Sequence, residues 1–127
     1  MKHPVKESSP VLRIAIILQT VALFATPVTA ALLLSTPNGH TLHSASAYTV
    51  FAVTLLHLII AIVMWRPRGG SPKPILPAAV IFGLTLAQVA LGIAGIKILH
   101  LPLGVLLFAG SVLQLSRLFP GRTHEPA

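Results

Sequence analysis

Four apolar stretches, each of about 20 residues or more, constrain this chain more than any other feature, because a helix of that length covers a hydrocarbon core of ~30 Å. They run from about 11 to 35, 43 to 65, 75 to 96 and 99 to 119. None alternates apolar and polar residues as a half-buried strand does. A segment in lipid must also satisfy its backbone groups within itself, so helix is expected in all four. The longest connection, "RPRGGSPKP", is a compact Pro/Gly-rich turn rather than an interdomain linker. The expected fold is all-α: an integral membrane four-helix bundle over residues 1–127, a single domain of adjacent antiparallel helices.

Composition agrees with lipid as the solvent and narrows the chemistry. Of 127 residues 54% are hydrophobic and 9% charged, where a soluble domain carries about 25% charged residues. The mean hydropathy is +0.88. With no cysteine, disulfides, thiolate metal sites, iron–sulfur clusters and covalent heme attachment are excluded. The two acidic residues, Glu7 and Glu125, lie in polar tails. That excludes paired-carboxylate catalysis and disfavours a calcium or magnesium site. The net charge of +7 sits at the edges of the apolar runs, without a basic stripe interleaved with aromatics. No nucleic-acid partner is therefore expected, and the lipid bilayer is.

The first stretch has two readings. "PVTA", from Pro27 to Ala30, resembles a small-residue cleavage site behind a basic start. However, "ALLL" carries the apolar run beyond it, so a retained helix, kinked near Pro27, is expected. Lys2, Lys6 and Arg13 precede or begin this span; Arg66, Arg68 and Lys73 fill the second connection; Arg117 and Arg122 close the fourth span. The first connection has no lysine or arginine and the third has only Lys97. Positive-inside bias then places both termini in the cytoplasm.

A weak internal repeat aligns two helix hairpins. "VAL" at Val21 to Leu23 recurs at Val89 to Leu91, close behind Gln19 and Gln88, and "LH" at Leu42–His43 recurs at Leu99–His100. Pseudo-twofold symmetry would turn His43 and His100 toward each other at the outer ends of the second and fourth helices. Four residues on, one turn deeper on the same face, stand the small residues Ala47 and Gly104. A flat macrocycle between helices needs such a gap. His57 follows His43 by fourteen residues, about 40° short of four full turns and roughly 21 Å deeper. Two stacked hemes would need ligands at that spacing, yet the repeat opposes His57 with Gln114, a poor iron ligand.

One outer heme b held by the axial imidazoles of His43 and His100 is therefore the expected cofactor site, with the iron as the metal and Ala47, Gly104 and Tyr48 beside it. Tyr48 is a candidate hydrogen-bond donor to a propionate, and Lys97 a candidate partner for its charge. For His57 an interhelical hydrogen bond to Gln114, Thr54 or Ser111 is expected before a metal. His40, placed in the first loop, is expected to be solvated, though it competes with His43 as a ligand. Gln19 and Gln88 read as polar glue between helices. Two imidazoles without thiolate or carboxylate leave zinc's usual tetrahedral set unfilled.

With "LHSASA" and "LHLPLG", Leu42 to Ala47 and Leu99 to Gly104, the chain resembles one four-helix half of the heme A synthase family. The likeness extends over about Ile14 to Phe119 and is shared with small bacterial four-helix membrane proteins of the same layout. It implies a bacterial-type cell membrane, and heme held by His43 and His100. The family carries a glutamate three residues before the first histidine of its catalytic half; this chain has His40 there and only one half. What the resemblance carries over is heme binding rather than hydroxylation of a heme substituent.

The expected function is thus a small membrane b-type cytochrome, exchanging electrons with a quinone or a larger membrane complex rather than acting as a stand-alone enzyme. Two further readings stand beside it. One is a cofactor-free accessory subunit of a membrane complex. The other is a heme-handling enzyme that rebuilds an eight-helix arrangement as a homodimer.

Overall fold

The computed structural model describes residues 9–119 together with 121 and 126. Lys2, His3, Lys6, Glu7, Arg122, His124 and Glu125, which bear on orientation and on the polar tails, lie outside the described residues. Within them the chain is all-α. Four helices follow one another: α1 (Pro10–Ser35), α2 (Gly39–Trp65), α3 (Ile75–Ile93) and α4 (Lys97–Ser116). All four are long and apolar enough to cross a membrane.

Local chemistry sets the helix ends. Pro10 opens α1, where a missing N–H costs nothing. Gly39 opens α2 directly after a three-residue turn, 36–38, with its backbone so close to Leu32 and Leu33 that a Cβ would have no room. The chain therefore re-enters the helix one turn before His43, which corrects the sequence expectation for His40: it stands in the first turn of α2, exposed, and not in a loop. α3 stops at Ile93 because Gly95 takes a left-handed φ of 70°, a conformation that favours glycine. The Ala94 and Ile96 N–H groups then bond back to Ala90 and Leu91.

Pro27 does not divide α1. It lacks the N–H that would bond to the Leu23 carbonyl, and the neighbouring Thr26 hydroxyl donates to that carbonyl instead, at 2.8 Å. Helix continuity at the proline is thus maintained by a side chain one residue away.

Each helix packs against its neighbours in the chain, and α1 closes the ring against α4. The diagonal pairs α1–α3 and α2–α4 do not pack on each other. α2 and α4 therefore face one another across the bundle axis, and any space along that axis lies between them. One end of the bundle carries the two tight turns and both His43 and His100; the other carries the 66–74 loop with Arg66, Arg68 and Lys73, and also Arg13 and Arg117.

Polarity is inverted relative to a soluble protein. The fully buried side chains include Gln19, Thr54, His57, Thr85 and Ser111, while Leu34, Ile93 and Ile98 are more than 80% exposed. Water would reverse that distribution, and hydrocarbon tolerates it, so the fold fits a multi-pass membrane protein. Between the polar groups lie two apolar clusters. Leu12, Ala61 and Ala78 pack near the basic end. Ala22, Leu23, Val50, Ile81 and Leu107, with Phe108 against them, pack nearer the histidine end.

Candidate functional site

Beyond Leu23, Val50 and Leu107 the bundle opens into a cavity of about 340 Å³ whose walls come from all four helices. Thr26 and Ala30 line it from α1, His43 and Ala47 from α2, Gln88 and Val89 from α3, and His100, Gly104 and Phe108 from α4. The cavity is partly open: the lining residues Leu101 and Val105 are 62% and 68% exposed.

His43 and His100 meet at this cavity from the facing helices α2 and α4. Their ring centres are 6.3 Å apart and their planes stand at 80°. Each ring has its Nδ1 engaged. His100 Nδ1 donates to the Gln88 carbonyl at 2.9 Å, and a carbonyl only accepts, so this nitrogen carries the proton. Nε2 then keeps a free lone pair.

His43 Nδ1 lies 3.2 Å from the Thr29 hydroxyl. That hydroxyl also reaches the Thr26 carbonyl at 3.0 Å and the Ser46 hydroxyl at 2.7 Å. The Ser46 hydroxyl also donates to the His43 carbonyl at 2.8 Å, so Thr29, Ser46 and His43 share one hydrogen-bond network beside the cavity. Among the described residues neither Nε2 makes a hydrogen bond. Imidazoles held by Nδ1 with Nε2 free are in the state in which histidine binds a metal.

Gln88 completes this wall. Its amide Nε2 donates to the His100 carbonyl at 2.8 Å, so residues 88 and 100 tie α3 to α4 by a reciprocal pair of bonds. The amide sits over Gly104, where a Cβ would come within 2.9 Å of Nε2. Its oxygen, Oε1, is buried with no partner, which in an apolar bundle costs about 1–3 kcal/mol until a donor reaches it. Gly92 lies under the imidazole of His100, and a Cβ there would be 3.0 Å from Cε1.

The other sequence candidates fall elsewhere. Ala47 and Gly104 line the cavity, but Tyr48, 74% exposed, does not; one residue beyond Ala47, it is turned about 100° away around the helix. His40 and Lys97 are exposed at the histidine end and line no cavity. His57 is buried in the middle of the bundle, its Nδ1 2.8 Å from Gln19 Oε1. Gln19 Nε2 in turn donates to the Ser111 hydroxyl and to Gln114 Oε1, both at 2.9 Å. His57 and Gln114 are thus joined through Gln19, which takes the place a ligand would fill. The Thr20 hydroxyl closes the network 2.7 Å from Ser111.

Sequence reasoning missed Thr29, Thr26 and Gly92. Thr29 carries no marker beyond a hydroxyl in an apolar span, and the Gln88 carbonyl that holds His100 belongs to the backbone. No family model, no curated protein and no solved structure matches the chain.

The donor set limits what the cavity can bind. Among the described residues no three His, Asp or Glu side chains cluster to hold a bare metal ion. Two imidazoles suffice when the metal brings its own equatorial ligands, as a tetrapyrrole-bound iron does.

Proposed function

We propose that the protein is a membrane b-type cytochrome that binds one heme between His43 and His100. The observation that carries this reading is the pair of neighbouring imidazoles from opposite helices, each bonded through Nδ1 beside a shared cavity. An imidazole nitrogen stands about 2.0–2.1 Å from a first-row metal and about 1.1 Å from its own ring centre, so two rings that turned Nε2 toward one iron from opposite sides would have centres about 6.3 Å apart. The separation in this bundle is 6.3 Å. The small residue Ala47 and the exposed side chains of Leu101 and Val105 support a flat group whose rim extends between helices; at Gly104 the Gln88 amide takes up the gap.

His43 and His100 would hold the heme, which would supply one-electron chemistry when bound. The chain's own residues hold the His100 imidazole in one tautomer through the Gln88 carbonyl, tie the His43 ring to the Thr29 hydroxyl, line the inner end with Leu23, Val50 and Leu107, and keep the site near one face. A single heme there transfers electrons locally, so the partner is a quinone or a larger membrane complex. The basic residues Arg13, Arg66, Arg68, Lys73 and Arg117 collect at the opposite end, which supports both termini in the cytoplasm and the heme toward the outer face of a bacterial-type cell membrane.

Heme content by pyridine hemochrome tests the stoichiometry. Detergent-purified protein is expected to hold one heme b per chain, and His43→Ala and His100→Ala none. Two hemes per chain, or heme retained in both variants, contradicts the assignment.

A further inference from the structure

The two imidazoles are held very differently. The His43 ring is held by the Thr29 hydroxyl, which can rotate, and its carbonyl by Ser46 of its own helix, whereas His100 is tied to a second helix and clamped on three sides. Its Nδ1 donates to a backbone carbonyl of α3, its own carbonyl accepts from the Gln88 amide, and its ring lies over Gly92. A Cβ on residue 92 would stand 3.0 Å from Cε1, 3.4 Å from Nδ1 and 3.7 Å from Nε2. Any side chain there turns or pushes the ring. The clamp fixes the His100 ring, whose plane stands at 80° to that of His43.

We infer that Gln88 and Gly92 are positioning residues that hold the His100 imidazole nearly perpendicular to that of His43, so that the iron carries crossed axial planes. This rests on the heme reading above and adds to it a property of the iron. Each imidazole donates π density into the iron d orbital normal to its ring. Crossed rings act on both members of that d pair and leave them close in energy; parallel rings raise only one. In low-spin ferric iron a nearly degenerate pair retains orbital angular momentum. The electron paramagnetic resonance spectrum is then dominated by one highly anisotropic feature at large g, and a split pair gives three separate rhombic lines.

The test is the low-temperature resonance spectrum of the oxidised, purified full-length protein, as wild type and as Gly92→Ala, Gln88→Leu and Gly83→Ala. Gly83 lies on the same helix where an added Cβ meets nothing within 4 Å, so that variant controls for helix effects alone. The wild type and Gly83→Ala are expected to share a single large-g feature. Gly92→Ala, with heme still bound, is expected to move that feature toward lower g or into a rhombic spectrum. Gln88→Leu removes the amide bond without adding bulk; it is expected to shift the signal the same way, and it keeps the test open if Gly92→Ala does not fold. Bound heme with a rhombic wild-type spectrum overturns the crossed planes while leaving the cytochrome standing. A large-g signal unmoved in both Gly92→Ala and Gln88→Leu overturns the positioning role. Absence of heme overturns this inference together with the function beneath it.

Discussion

At the scale of single residues, His43 and His100 differ in what a mutation can reach. The acceptor for His100 Nδ1 is a carbonyl that every residue at position 88 provides, but the partner of His43 Nδ1 is the removable hydroxyl of Thr29. Thr29→Val is expected to weaken hemin binding to the apoprotein about 10–100-fold, the usual effect of losing a group that orients a metal ligand. His43→Ala is expected to abolish binding; hemin titration followed by absorbance distinguishes the two. Gln19 behaves in the opposite way. Gln19→Leu strips a partner from His57, Ser111 and Gln114 and is expected to destabilise the bundle by about 1–3 kcal/mol while heme content stays at the wild-type level. Unfolding in mixed detergent, with heme assayed on the same samples, checks both halves of that statement. His43 and His100 were legible in the sequence because imidazoles within apolar spans are rare and these two align in a repeat. Tyr48 was misplaced because proximity along the chain says nothing of the helical phase that turns it outward.

At the scale of elements, α1 shows how a proline is accommodated inside a span. The Leu23 carbonyl is orphaned by Pro27 and taken up by Thr26, so these two positions are energetically coupled. Thr26→Val is expected to cost about 1–3 kcal/mol alone, and to cost much less in a Pro27→Ala background, where a backbone N–H returns to the same carbonyl. A double-mutant cycle on thermal stability reads the coupling; equal costs in the two backgrounds would show that Thr26 has no capping role. The helices themselves were legible because hydrocarbon thickness fixes their length. Their ends were less so: the tight turns at residues 36–38 and 94–96 extend α2 and α4 backwards, and these depend on the backbone approach at Gly39 and the left-handed Gly95. The repeat located the histidines but not the glutamines. α1 has 26 residues and α3 has 19, so Gln19 falls in the His57 layer while Gln88 falls in the His100 layer.

At the scale of the whole molecule, a polar interior surrounded by an apolar exterior separates into two functions along one axis. The half around Gln19, His57 and Ser111 is filled and hydrogen-bonded, and the half between His43 and His100 is hollow. This division was partly legible: fourteen-residue spacing gave two levels, but only packing distinguishes a filled level from an open one. The proposed orientation has its own check, since the chain has no cysteine and single thiols can be introduced at the exposed Asn38 and Ser71. In intact cells a membrane-impermeant maleimide is expected to label Asn38→Cys and to spare Ser71→Cys; the reverse pattern would invert the topology. The most direct test of the central claim is the dithionite-reduced minus oxidised absorption spectrum of heme-replete purified protein beside His43→Ala and His100→Ala. A sharp b-type α band present in the wild type and lost in both variants is the expected result, and a wild-type spectrum without that band would contradict a heme held between these two histidines.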